Sequence, residues 1–144
     1  MEPDPFAEPD ALAEAVQSIG DRWTLLIVDA LLSGPRRFND LQGEVVGIAS
    51  NVLAKRLEHL ERESIVVARA YSAKPPRYAY ELTVAGHELI GALRLLRSWG
   101  ASHRGEQGAA LVHPRCGTAL EPRWWCPTCD RVVDDEEDDG LSFA

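Results

Sequence analysis

Ser50-Asn51-Val52-Leu53-Ala54-Lys55-Arg56-Leu57-Glu58-His59-Leu60-Glu61-Arg62 carries two patterns at once. Leu53, Leu57 and Leu60 recur at i, i+4 and i+7, the stripe that a helix buries along one side. Asn51, Lys55, Glu58 and Arg62 fall outside that stripe. The Ser50 hydroxyl is predicted to cap the first turn, so the helix begins with a polar, cation-rich end where Asn51, Lys55 and Arg56 cluster. A helix that reads DNA presents such an end, but so does an ordinary amphipathic surface helix, because Lys and Arg are common on solvated faces. The flanking sequence has to separate the two.

Composition narrows the setting. A chain of 144 residues suits one domain with an appendage, and 45% hydrophobic residues suffice for a core. The apolar runs Leu25 to Val28 and Ala30 to Leu32 are interrupted by Asp29 and stopped by Ser33-Gly34-Pro35, too short to cross a membrane. The start, Met1-Glu2-Pro3-Asp4-Pro5, lacks the basic and then apolar pattern of a secretory signal, which predicts a cytoplasmic protein. A net charge of -8 argues against a nucleic-acid partner only if the charge is evenly spread. It is not: Asp134 to Asp139 are all acidic, whereas Gly34 to Arg77 holds eight Lys/Arg against five acids. The basic surplus lies around the helix at Ser50 to Arg62.

Residues 1 to 9, with three prolines and three acids, are predicted to be disordered. Leu12, Val16 and Ile19 mark one face of a short helix that Gly20 ends. Asp21 is a candidate N-cap for Arg22 to Leu32, a helix so apolar that burial nearly all round is expected. After Ser33-Gly34-Pro35, Phe38, Leu41 and Val45 predict a helix from about Arg37 to Glu44, and Val46 to Ala49 forms a tight, Gly-containing connector into Ser50. Two short helices joined in this way have helix-turn-helix spacing.

A wing follows. Ile65 to Tyr71 and Tyr78 to Thr83 are strand candidates, and Ser72-Ala73-Lys74-Pro75-Pro76-Arg77 between them puts two cations at a hairpin tip. So short a hairpin needs a partner, for which the helix-turn-helix is the candidate. Lys74 and Arg77 are then placed to lie along a phosphate backbone or enter a minor groove. Thr83 is predicted to cap a last continuous helix, Val84 to Ala101. Its Leu89, Leu93 and Leu96 stripe, flanked by Ile90, Leu95 and Trp99, carries more apolar surface than a small winged helix can cover. This predicts a homodimer packed through the first and last helices of residues 10-104.

Ser18-Ile19-Gly20-Asp21-Arg22-Trp23-Thr24-Leu25-Leu26-Ile27, Gly34-Pro35-Arg36-Arg37-Phe38-Asn39-Asp40-Leu41, Leu53-Ala54-Lys55-Arg56-Leu57 and Pro75-Pro76-Arg77-Tyr78-Ala79-Tyr80-Glu81-Leu82-Thr83 occur in that order. From about residue 10 to Trp99 the chain resembles the HxlR-type winged helix-turn-helix transcriptional regulators, relatives of the MarR group. The resemblance implies a cytoplasmic homodimer on an inverted repeat of double-stranded DNA, with one recognition helix per half-site in successive major grooves. It places Ser50, Asn51, Ala54 and Lys55 facing base edges, and Arg36, Arg37, Arg56, Lys74 and Arg77 meeting phosphate or the minor groove. Many members carry a cysteine some ten residues before the Gly20-Asp21-Arg22-Trp23 turn, and in some it senses oxidants or electrophiles. Asp10 stands there in this chain, and no cysteine precedes Cys116. A small-molecule effector between the dimerisation helices and the wing is left open.

All three cysteines lie near the end. His113-Pro114-Arg115-Cys116-Gly117 and Cys126-Pro127-Thr128-Cys129-Asp130 are matched turns with ligand gaps of two, separated by nine residues. One imidazole and three thiolates, His113, Cys116, Cys126 and Cys129, can close a tetrahedral structural zinc site, and the pattern resembles a zinc ribbon. Free thiols or a disulfide pair are the alternatives, the latter disfavoured in a cytosolic setting. His87 and His103 are expected to be solvated or core histidines. Leu111, Val112, Leu120, Trp124, Trp125, Val132 and Val133 are expected to supply short strands and a small core around the ion.

The expected architecture is mainly α with a small β-hairpin wing, an α+β winged helix-turn-helix followed by a small zinc ribbon. The expected segments are 1-9, 10-104, a linker at 105-110, the ribbon at 111-133 and an acidic disordered tail at 134-144. The leading functional expectation is a sequence-specific, dimeric transcriptional regulator. The alternative is a protein-binding transcription adaptor without a discrete operator, because a winged helix followed by a zinc ribbon and an acidic tail also resembles the basal factor that helps open promoters. No nucleophile with a nearby base, phosphate-cradling loop or open metal position points to an enzyme.

Overall fold

The structure, a computed structural model, describes residues 10-104 and 110-133. The segments expected at 1-9 and 134-144, and nearly all of the linker expected at 105-110, lie outside those residues. Two compact units divide the chain, Met1–Leu93 and Arg94–Ala144.

In the first unit, α1 (Ala11–Ile19) and α2 (Arg22–Leu31) are followed by β1 (Arg36–Arg37), α3 (Phe38–Glu44) and α4 (Ser50–Arg62). Then come β2 (Val66–Ala73), β3 (Pro76–Leu82), α5 (Val84–Glu88) and the start of α6 (Ile90–Arg104). Mostly helical, with one small antiparallel sheet, this is the expected winged helix-turn-helix. The core is made where Ile27, Val28 and Leu31 of α2, Leu41 of α3 and the Leu53, Leu57, Leu60 stripe of α4 meet. Val45 and Ile48, also buried, pin the turn between α3 and α4 from below. That turn passes through Gly47 at φ +86°, a left-handed conformation that costs glycine little and other residues more.

Two expectations about these elements need correction. The α2 helix is not buried nearly all round: Thr24, Ile27, Val28 and Leu31 form the buried stripe, while Leu26 stays 45% exposed. A helix this short at the edge of a small core meets partners on one side only, however apolar its other positions are. The hairpin strands run further toward their turn than expected, so that only Lys74 and Pro75 separate them. As expected, the hairpin packs on the helix-turn-helix, with Val66 and Leu82 joining the α4 leucines in the core, and it also gains a short third strand. Arg36 and Arg37 pair with Tyr80 and Ala79, giving sheet order β1-β3-β2.

The last helix is not continuous. Thr83 caps α5 as expected, its Oγ1 accepting from the Gly86 N–H at 3.2 Å and donating to the Ser64 carbonyl at 2.6 Å. The Leu89 N–H then bonds back to Gly86 O at 3.3 Å, tightening the turn and ending α5 before α6 begins. Leu89 and Leu93 both pack on the core across this break, which is why the apolar period hides it. Gly86 is buried where a Cβ would overlap the Ile65 carbonyl oxygen and crowd Leu82. Gly86→Ala is therefore expected to destabilise the fold by on the order of 1–3 kcal/mol, as overpacking does. Denaturant titration measures this; an unchanged midpoint would show that the corner yields.

In the second unit, β4 (Trp124–Cys126) and β5 (Arg131–Val133) pair antiparallel, and Val112 bridges Ala119. The small core expected there is not formed. No described residue from 110 to 133 is buried, and Trp124 and Trp125 are 62% and 55% exposed.

Candidate nucleic-acid interface

One carboxylate sets both the start of α2 and the seat of α4. Asp21 accepts from the backbone N–H groups of Trp23 and Thr24 at 3.0 and 3.1 Å, and from the Thr24 hydroxyl. The same carboxylate lies 3.4 Å from Arg56 Nε of α4. That nitrogen is shielded from solvent and has no aligned hydrogen bond, so the charge of Asp21 is what balances it. Burial would raise the Asp21 pKa, but the Thr24 hydrogen bonds, the Arg56 charge and the Trp23 N–H together hold it below its ordinary 3.8. One turn further along α4, His59 Nε2 donates to the Ser18 carbonyl at 2.7 Å, and the Ser18 hydroxyl donates to Glu63 at 2.9 Å. These contacts tie the C-terminal half of the helix to α2 and to α1.

Ahead of these contacts, toward the start of α4, the outer face is open: Ser50, Asn51, Ala54 and Lys55 are all exposed. Ser50 is not the cap. Ala49 occupies that position without a side-chain bond, and Ser50 Oγ instead accepts from Gln42 Nε2 of α3 at 2.7 Å, joining the two helices of the motif. The other predicted cations differ in how they are engaged. Arg36 is paired with Glu44 at 2.6 Å and donates to the Gly34 and Pro35 carbonyls, so its guanidinium is largely used in holding α3. Arg37 forms a two-point pair with Asp40, whose pKa it lowers. Lys55, Lys74 and Arg77 are exposed and have no ion pair among the described residues.

Arg37 and Arg77 converge. Together with Phe38, Asn39, Tyr71 and Tyr78 they line a groove of about 420 Å³ between the start of α3 and the wing. Asn39, Tyr71 and Tyr78 were not singled out from sequence. Register slips between Ala70 and Ser72, a bulge that breaks the alternation at Tyr71. Guanidinium, amide and phenol donors around one groove match what a phosphate backbone offers as acceptors.

In the second unit the four candidate ligands come together as two pairs. His113 Nδ1 and Cys116 Sγ lie 3.3 Å apart, and the Cys129 N–H donates to Cys126 Sγ at 3.5 Å. No group of three His, Cys, Asp or Glu side chains gathers among the described residues. The Thr118 hydroxyl and backbone hold the Cys116 thiol below its ordinary pKa; the Cys129 N–H does the same for Cys126, whose sulfur pushes Cys129 up. His87 and His103 lie elsewhere, each exposed and bonded through Nδ1 to a backbone carbonyl one turn earlier.

The family profile described as HxlR-like helix-turn-helix matches residues 18–108. The chain belongs to the HxlR family. It is 34% identical over 129 residues to an uncharacterized HTH-type transcriptional regulator of Mycobacterium tuberculosis, covering 88% of this chain and 81% of that protein. An alignment of that length extends past residue 108 into the second unit. The chain is also 31% identical over 88 residues to the HTH-type transcriptional regulator YodB of Bacillus subtilis, covering 61% of this chain and 79% of YodB. Among solved structures, the regulator YtcD superposes with a TM-score of 0.64 at 28% identity, covering 68% of this chain and all of YtcD. The reduced form of YodB gives 0.59 at 30% identity, with coverage of 70% and 98%. In this HxlR protein Asp10 is an N-cap, its Oδ1 accepting from the Leu12 N–H at 3.0 Å.

Because Asp21 caps α2 and also holds Arg56, Asp21→Ala should cost about 1–2 kcal/mol at neutral pH. A carboxylate with a lowered pKa stabilises the fold above its unfolded value and loses that effect as pH falls through the folded value. The stability gap between parent and variant should therefore narrow below about pH 4. Chemical denaturation across that range measures it, and a gap independent of pH would remove the ionic part of the argument.

Proposed function

We propose that this HxlR protein is a sequence-specific transcriptional regulator that binds an inverted repeat of double-stranded DNA as a homodimer. One observation carries the reading: the exposed residues Asn51, Ala54 and Lys55 of α4 stand on a helix tied to α1, α2 and α3, beside a wing whose Lys74 and Arg77 are free to meet phosphate. The relatives named as HTH-type transcriptional regulators support it. Asn51, Ala54 and Lys55, with Ser50, face base edges. Arg77, Lys74 and Arg37 contact the backbone, and Arg36 and Arg56 chiefly orient α3 and α4. Among the described residues no helix is long and apolar enough to cross a membrane. The reading contains no catalytic step.

Dimerisation is supported by exposed apolar side chains on α1 and α6. Leu12 and Val16 are exposed, as are Leu95, Leu96 and Trp99, the last by 63%. Exposed apolar side chains on helices of one chain are what a twofold interface covers.

Selection of bound fragments from the source genome should return one inverted-repeat motif, whereas fragments without a common motif would favour the adaptor alternative. On the selected duplex, Lys55→Ala should reduce discrimination against a substituted half-site by about tenfold. Arg77→Ala should instead weaken binding to all sequences and lower the slope of log affinity against log salt by about one. If both variants bind as the parent does, the assigned face is wrong. Trp99→Asp should shift the protein to monomer in analytical ultracentrifugation and abolish cooperative binding of the two half-sites. A dimer that withstands this change would move the interface elsewhere.

A further inference from the structure

Nothing in the DNA-binding reading uses residues 110-133, yet they contain two turns built alike. In the first, the Cys116 and Gly117 N–H groups both donate to the His113 carbonyl, at 3.3 and 2.8 Å, and Gly117 takes φ +70°. In the second, the Cys129 N–H donates to Cys126 Sγ, and Asp130 takes φ +54°, a left-handed conformation uncommon outside glycine. Each turn therefore brings its first and fourth side chains together and is followed by one left-handed residue. The second turn closes the β4–β5 hairpin, and the first lies within the segment closed by the Val112–Ala119 bridge.

Little apolar burial holds the described residues of the module together. Its strands are three residues long, its tryptophans are exposed, and none of its described residues is buried. A two-stranded hairpin of this size is marginal in water, and small modules without a core depend on a crosslink. All three cysteines are free thiols here, and an odd number cannot all pair as disulfides within the chain.

We propose that residues 110-133 form a structural zinc site in which His113, Cys116, Cys126 and Cys129 are the ligands. One neutral imidazole and three thiolates complete a tetrahedral set with no position left for water, so the ion holds the module together and performs no chemistry. The two pairs close on the ion as it binds, and each thiol that becomes a ligand gives up its proton to solvent. The site is independent of the DNA-binding reading, and either can fail without the other.

The test uses the full chain, purified without added metal. Elemental analysis should find about one zinc per chain. A thiol reagent should react slowly with the three cysteines until a chelator is added. Replacing zinc with cobalt(II) should give the thiolate charge-transfer and intense visible bands of a tetrahedral sulfur-rich site. Cys126→Ser should lose the metal, whereas His113→Cys should keep it, with the cobalt bands shifted by the added sulfur; the second variant guards against a first that merely misfolds. Absence of zinc with freely reactive thiols would overturn the proposal. So would a Cys126–Cys129 disulfide in the purified protein, or zinc retained at full stoichiometry in the Cys126→Ser variant.

Discussion

Leu53 and Leu60 have no exposed surface and Leu57 almost none, and the first unit is arranged so that they can stay that way. Each contributes roughly 1.5–3 kcal/mol by leaving water, but only if α2, α3 and the base of the wing cover one stripe on α4. Ile27, Val28 and Leu31 supply the α2 side, Leu41 the α3 side, and Val66 and Leu82 the sheet side. The rotation of α4 about its axis is thereby fixed. Once the stripe points inward, Asn51, Ala54 and Lys55 must point outward.

Polar contacts then settle where the helix sits along its own length. Asp21 holds Arg56, and Ser18 is bonded to both His59 and Glu63. The result is a division of labour among cations of the same type. Arg36, Arg37 and Arg56 are paired with carboxylates of the same unit, while Lys55, Lys74 and Arg77 are exposed without an ion pair among the described residues. A net charge of -8 is therefore compatible with a local basic surplus, because Lys55, Lys74 and Arg77 are exposed and the acidic run of Asp134 to Asp139 is remote in sequence.

Features set by neighbours in sequence were legible before the structure: the α4 stripe, the Asp21 and Thr83 caps, the Gly-containing turn and the cationic hairpin. What escaped depends on residues far apart in the chain. Two residues such as Arg36 and Arg37 give no strand signal, since their pairing with Ala79 and Tyr80 is decided across more than forty positions. Ser50 has the right chemistry for a cap, but Gln42 competes for its hydroxyl. The break before α6 was hidden because Leu89 and Leu93 keep the apolar period through it, while Gly86, the residue that permits the close corner, looked unremarkable in sequence. At the candidate site, the cations could be named but not sorted, because which of them meets an internal acid is a property of the fold. Tyr71 and Tyr78 share a groove through a bulge that alternation does not announce.

The two-point fastening of α4 has an evolutionary consequence. Asn51, Ala54 and Lys55 touch neither the leucine stripe nor either fastening, so exchanging them leaves the fold's stability nearly untouched. Ser50 and Arg56 lack that freedom, because each serves as a structural partner to another helix. On the proposed function, descendants of this chain acquire new targets by drifting at three outward positions, while the scaffold that presents them is inherited whole.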